Sequence, residues 1–171
     1  MRQLKISLLI ACALVSLCGV AFAQKSNEPL KVVMSASKIV ASNGSETRQS
    51  AQKVKPGDIV EYTVDYTNQS SSPLRDVRGV LPIPAGMTYE NGSASPAKFW
   101  ASTDGKNFSP APLKRLQKNA NGTQTEVLVP VSEYRVLRWE IGEIAPKSTV
   151  TVRARVKVLT ASTSAEAPTA H

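Results

Sequence analysis

Ile59–Asn68 (IVEYTVDYTN) and Thr149–Val158 (TVTVRARVKV) decide the fold. In the first, Val60, Tyr62, Val64 and Tyr66 share one face, while Glu61, Thr63, Asp65 and Thr67 share the other. In the second, Val150, Val152, Ala154, Val156 and Val158 alternate with Thr149, Thr151, Arg153, Arg155 and Lys157. A strict period of two marks a strand with one buried and one solvated face. The outward carboxylates of one segment and the outward cations of the other suit neighbouring strands. Glu61 and Asp65 are then expected opposite Arg153, Arg155 or Lys157, each such pair contributing roughly 0.2–1 kcal/mol.

The flanking sequence punctuates these strands. Lys55-Pro56-Gly57-Asp58 reads as a type II turn, with Pro at i+1 and Gly at i+2. Residues 77–83 form the next strand, and Pro82 and Pro84 place its end at a rim or edge, because each removes a ladder donor. Residues 87–90 continue briefly before Asn91-Gly92 turns the chain, and 98–102 (KFWAS) make a short strand. Residues 109–125 are expected to be a long loop with one turn of helix, and 127–131 an edge strand carrying Pro130. Residues 136–142 put Leu137, Trp139 and Ile141 on one face. Residues 30–40 (LKVVMSASKIV) read as a first strand, and 48–55 as a short polar strand or loop. About seven such strands predict an all-β, immunoglobulin-like antiparallel β-sandwich over residues 30–159. A polar lead-in (24–29) precedes it, and a small, polar, disordered tail (160–171) follows it.

The first 23 residues read as a signal peptide. Arg2 and Lys5 give a positive start, residues 8–17 an apolar run, and Ala21-Phe22-Ala23 a small-x-small cleavage site before Gln24. That apolar run falls short of the ~20 residues of a membrane span. The chain is therefore expected to be exported, periplasmic or extracellular, and soluble after cleavage, with no transmembrane segment remaining. Cys12 and Cys18 both fall within the signal, so the exported part uses neither disulfide nor thiolate. The formal net charge is +8 over the whole chain, and Arg2 and Lys5 leave with the signal. The remaining positive charge is dispersed, which favours solubility and a mild attraction to anionic surfaces.

Several corners together resemble a bacterial family, the conserved-repeat domain known as domain of unknown function eleven. They are Pro56-Gly57-Asp58, Thr67-Asn68, Pro84-Ala85-Gly86-Met87-Thr88, and Trp139-Glu140-Ile141-Gly142-Glu143-Ile144-Ala145-Pro146 ahead of the last alternating strand. The resemblance covers roughly residues 53–158. It implies an immunoglobulin-like module of exported or surface proteins, used as a spacer or adhesive unit and without catalytic residues. Such modules commonly occur in tandem and continue past the last alternating strand, whereas this sequence has one copy and runs into residues 161–171. One sheet edge is then either filled by residues 30–40 or left open.

The candidate site residues are few. The single histidine is His171, which removes Ser–His and Cys–His catalysis and the usual zinc sets. Glu61 and Asp65 stand about 13 Å apart on one strand, beyond the ~5–9.5 Å of glycosidase pairs. Asp104-Gly105-Lys106-Asn107 supplies one carboxylate where calcium needs six to eight oxygens. No enzyme activity, cofactor or metal is expected. Trp139 is expected in the core. Of Phe99 and Trp100, one points outward, and Trp100 is the candidate for an exposed contact. Trp100, Tyr89, Lys114, Arg115 and Lys118 are the candidate surface-contact residues, with the last three on a basic loop. Export and the lack of a nucleic-acid motif argue against nucleic acid as partner. The expected role is contact with a protein or envelope partner; the alternative is binding of a carbohydrate or glycolipid by Trp100 and Tyr89. Oligomeric state does not follow from these patterns.

Overall fold

Alternation over two long segments builds the centre of one sheet, and Pro/Gly corners fold the rest of the chain onto it. The computed structural model describes residues 28–42 and 44–160. The expected signal segment and nearly all of the expected tail lie outside these residues. The strands are β1 (Leu30–Ser42), β2 (Ser45–Ser50), β3 (Ile59–Asn68), β4 (Leu74–Pro82), β5 (Met87–Tyr89), β6 (Trp100–Ser102), β7 (Ser109–Pro110), β8 (Lys114–Lys118), β9 (Gln124–Leu128), β10 (Val136–Ile144) and β11 (Thr149–Val158). One 3-10 turn spans Val131–Glu133. Among the described residues no helix is long and apolar enough to cross a membrane.

The chain is an all-β sandwich, and every strand pairing is antiparallel. One sheet runs β2-β1-β3-β11-β5, the other β4-β10-β6-β7, and β8-β9 form a separate hairpin. The division is finer than the expected seven strands. Most of the extra strands are short or wholly polar, and short or polar stretches carry no alternation to read.

The two sheets meet through the inward residues of the two deciding strands. Val60, Val64 and Tyr66 from β3 and Val152, Ala154 and Val156 from β11 are each at most 5 % exposed. They pack with Val77, Leu81, Leu137 and Trp139 from the facing sheet, in one cluster. Burying a side chain of this size stabilises by roughly 1.5–3 kcal/mol before entropy. Trp139 is buried as expected, and its indole N–H donates to the Pro96 carbonyl at 2.8 Å. Aromatic rings extend the core beside it. Phe99 lies 6.0 Å from Trp139, and Tyr89 meets Phe99 edge-on at 5.5 Å and stacks on Tyr134 at 6.1 Å.

The turn at Lys55–Asp58 forms as read. Gly57 sits at φ 90°, and the Asp58 amide donates to Lys55 O at 3.0 Å. Residues 109–125, expected to be a loop, instead contain β7, β8 and the start of β9. β8 and β9 expose almost every residue, so the pairing of backbone groups rather than burial defines them.

Candidate functional site

The predicted contact residues do not assemble into one surface. Tyr89 is the clear correction: it is 2 % exposed, with its hydroxyl accepting the Ala94 amide at 3.2 Å. In a three-residue strand, the neighbours say little about which way a ring points. Trp100 is half-buried on the other sheet, and the Arg138 guanidinium covers its ring at 5.3 Å and that of Phe108 at 4.3 Å. Phe99 points inward, so this pair divides as expected. Lys114, Arg115 and Lys118 lie on β8. Lys114 pairs with Glu126 at 2.8 Å and Arg115 with Glu133 at 2.7 Å, while Lys118 is exposed at the hairpin end. The basic loop is thus a strand whose first two cations are paired locally.

The outer face of the first sheet holds a denser charge cluster. Glu61 on β3 stands directly opposite Arg155 on β11. Its carboxylate accepts Arg155 Nε at 3.1 Å and Arg48 Nη2 at 2.7 Å. Arg155 in turn makes a bidentate pair with Glu46, at 2.6 and 2.9 Å. Arg48 and Glu46 come from β2, two strands away from β3, and reach across β1 at Ser37, whose side chain is too small to stop them. Asp65, expected to face a cation, faces Thr151 instead and accepts its hydroxyl at 2.6 Å, while Arg153 lies opposite Thr63. The register settles this: an antiparallel ladder fixed by Glu61↔Arg155 places Thr151, not Arg153, across from Asp65.

This cluster borders a polar groove of about 540 Å³, lined by Arg48, Glu61, Glu90, Ser93, Arg153 and Arg155. Burial pushes the Glu61 carboxyl up, yet the two guanidiniums outweigh it and hold the group below its ordinary value. The bidentate bond from Arg155 likewise holds Glu46 low. The carboxylates are engaged by guanidiniums, which suits locking β2, β3 and β11 together rather than proton transfer. Both groups titrate lower in the fold than in the unfolded chain. Their contribution is therefore complete above the unfolded value of about 4.5 and is lost as pH falls through the folded value. The Glu61→Gln variant is expected to lose about 2 kcal/mol at pH 7, the scale of a charged hydrogen bond. Its deficit against the parent chain should shrink as pH drops below 4.5; urea unfolding across pH 3–7 measures this, and a deficit independent of pH refutes the assignment.

Asp104, the carboxylate of the acidic turn, is enclosed by that turn. It accepts the amides of Lys106 and Asn107, each at 2.8 Å, the Asn107 side-chain amide at 2.7 Å and the Ser102 hydroxyl at 2.8 Å. These donors, led by the Asn107 amide, hold its carboxyl well below the usual range.

The sheet edges differ sharply from one another. β2 is six polar residues, all exposed; β5 has three residues; β7 has two, one of them Pro110. β4 is longer, but its free edge is guarded. The Tyr66 hydroxyl reaches across from β3, accepts the Val80 amide at 2.9 Å and lies 3.5 Å from the Val80 carbonyl. Gly79 makes room for this ring, since a Cβ there would sit 3.2 Å from Tyr66 Cε2. Asp76 at φ 54° and Pro82 interrupt the rest of that edge. Such devices blunt edge-to-edge association. Removing the hydroxyl with Tyr66→Phe is expected to cost about 1 kcal/mol and to raise the aggregation rate on warming; light scattering beside calorimetry reads both.

Among the described residues, the first half of β1 has no such guard. β1 pairs with β3 over its residues 30–39, but β2 covers its other edge only from Ser37 to Ser42. Residues 30–36 thus form an open edge among the described residues. Residues 31–36 are all exposed, including Val32 (52 %), Val33 (45 %) and Met34 (57 %). Of the two outcomes expected for that sheet edge, residues 30–40 take the first and fill the edge beside β3; the first half of β1 is then itself an edge without a neighbour among the described residues.

No protein-family model matches this chain, and no curated protein matches it.

Proposed function

We propose that this chain is a non-enzymatic contact module of the cell envelope, which engages a protein partner through the open edge of β1. The carrying observation is the contrast between edges. Tyr66 blocks β4, β2 is polar throughout and β5 and β7 are short, while residues 30–36 present backbone with no partner on one side among the described residues, beside exposed Val32, Val33 and Met34. An extended segment added there gains ladder hydrogen bonds for affinity and alternating side-chain contacts for specificity. The N-terminal signal pattern supports export, and the resemblance of the Pro/Gly corners to conserved-repeat modules supports a contact role. The sugar-binding alternative loses support, because Tyr89 lies in the core and Arg138 covers the Trp100 ring.

A photo-crosslinking amino acid at Met34, expressed in cells, tests this. A covalent protein adduct in the envelope fraction is expected at Met34 and not at Asn119 on the β8–β9 turn. No adduct at Met34 above the Asn119 background overturns the reading.

A further inference from the structure

We propose that two chains associate through residues 30–36 as an antiparallel pair, with the twofold axis at Val33, joining their five-stranded sheets into one. This names the partner at the edge described above and rests on that reading.

Three observations carry it. The first is the orientation of the backbone. The Pro29 carbonyl accepts from the Gln69 amide at 2.7 Å, so odd-numbered backbone groups of β1 face β3. Strand alternation then turns the amides and carbonyls of Leu30, Val32, Met34 and Ala36 toward the open side.

The second is the length of the notch. β2 occupies the edge from Ser37 onward, where Ser50 is the partner of Ser37. With the axis at Val33, Leu30 of one copy lies opposite Ala36 of the other, and the next position is taken by Ser50. The two seven-residue notches fill each other end to end, and Pro29, which would come next, has to turn out of the ladder where Ser50 stands. Moving the axis one residue toward Met34 drives both Lys31 and Leu30 onto the positions of Ser50 and Gln49, so two residues of β1 itself would leave the ladder. Moving it one residue the other way sets Lys31 against the apolar Val33 and brings Glu28 opposite Ala36.

The third is chemical self-complementarity. In the Val33 register, Val32 meets Met34, Leu30 meets Ala36, and Lys31 meets Ser35, so no like charges stand opposite one another. Val33 lies on the axis against its own copy. The chain's own C-terminal residues 161–171 offer no large apolar side chain to cover Val32 and Met34. They also follow the end of β11 that pairs near Ile59, whereas the notch lies beside residues 62–68 of β3. An interface of one seven-residue strand pair is smaller than the ~1,200 Å² of a standard stable complex. The association is accordingly weak and concentration-dependent.

Two substitutions in the chain from Gln24 onward test this, since that chain carries no cysteine and contains the whole described sandwich. In the proposed pair, Val33 faces Val33 at a non-hydrogen-bonded position, where Cα atoms stand about 4.5 Å apart. That is within disulfide reach. V33C is therefore expected to give a disulfide-linked dimer with diamide, whereas S35C, about 13 Å from its own copy, is not. By sedimentation equilibrium the parent chain should dimerise with rising concentration, and V33K, which sets two lysines face to face, should weaken association at least tenfold. A parent chain that stays monomeric to millimolar concentration overturns the proposal, and so does S35C cross-linking as fast as V33C. If the chain is monomeric yet the Met34 photo-adduct contains a different protein, self-pairing fails while the contact reading stands.

Discussion

Replacing Trp139 by alanine should lower the melting temperature by about 10–20 °C, the largest effect expected of any single core truncation in this chain. The ring is 2 % exposed and packs against Phe99 at 6.0 Å, which in turn meets Tyr89, which stacks on Tyr134. Removing it takes away buried area and leaves a cavity that the strand backbones cannot close, a cost of about 3–5 kcal/mol. For a domain of this size each kcal/mol moves the midpoint by about 3–5 °C. The Pro96 carbonyl also loses the indole donor that holds residues 93–97 against β10. Trp139→Phe separates these terms, because it keeps a ring beside Phe99 and removes the hydrogen bond; it should cost about half as much. Scanning calorimetry checks both. A Trp139→Ala midpoint within about 3 °C of the parent, the shift of a single kcal/mol, would show that the two sheets do not depend on this residue.

The same residue shows what the sequence makes legible. Trp139 shares a face with Leu137, and β3 and β11 alternate over ten residues each, so their bounds follow from pattern alone. A strand with one dry face must write that face into its sequence. Strands lacking a dry face write nothing. KRLQK in β8 and SETRQS in β2 are exposed on both sides, and local pattern leaves them as loop or as an undecided polar stretch. Their order comes from backbone pairing and, in β2, from the reach of Arg48 and Glu46 to Glu61 and Arg155, a long-range fact that no local window contains. Tyr89 is misplaced for a related reason: three residues are too few to establish a period. The apolar run in β1 carries the subtler ambiguity. LKVVMSA has the composition of a buried strand, and the fold leaves it in the open. Composition records that a run is apolar; it does not record whether the fold buries it.

Asn68, which local pattern marks only as the end of a strand, carries the second large prediction. It is fully buried, and all of its side-chain polar capacity is used. Its amide donates to Ser72 O at 2.8 Å and Ile144 O at 3.0 Å, while its carbonyl oxygen accepts the Ser70 amide at 2.9 Å and the Ser70 hydroxyl at 2.7 Å. One side chain thus ties the end of β3, the following polar loop and the end of β10, joining one sheet to the other. Asn68→Ala leaves the Ile144 and Ser72 carbonyls without their donor and opens a small void, and should cost about 3 kcal/mol. Asn68→Asp is nearly the same shape, yet at pH 7 it should be at least as damaging. A carboxylate cannot donate to either carbonyl, and its charge is buried facing two acceptor oxygens. Burial raises the pKa of such a group above its unfolded value, so the unfolded state is the more readily ionised one. The Asn68→Asp variant should therefore recover stability as pH falls toward 4, where a protonated carboxyl restores one donor. Glu61 has the opposite slope, because there the charged form is the one the fold prefers, and its contribution is lost only below about pH 4.5. The two variants consequently approach the parent on acidification by different routes. Glu61→Gln closes its gap because the parent weakens, whereas Asn68→Asp closes it because the variant itself strengthens, and does so while the Glu61 cluster is still intact. Urea midpoints read from pH 7 to 4 should show the Asn68→Asp midpoint rising in absolute terms toward the parent's. A midpoint that stays level or falls in parallel with the parent would refute the role given to Asn68.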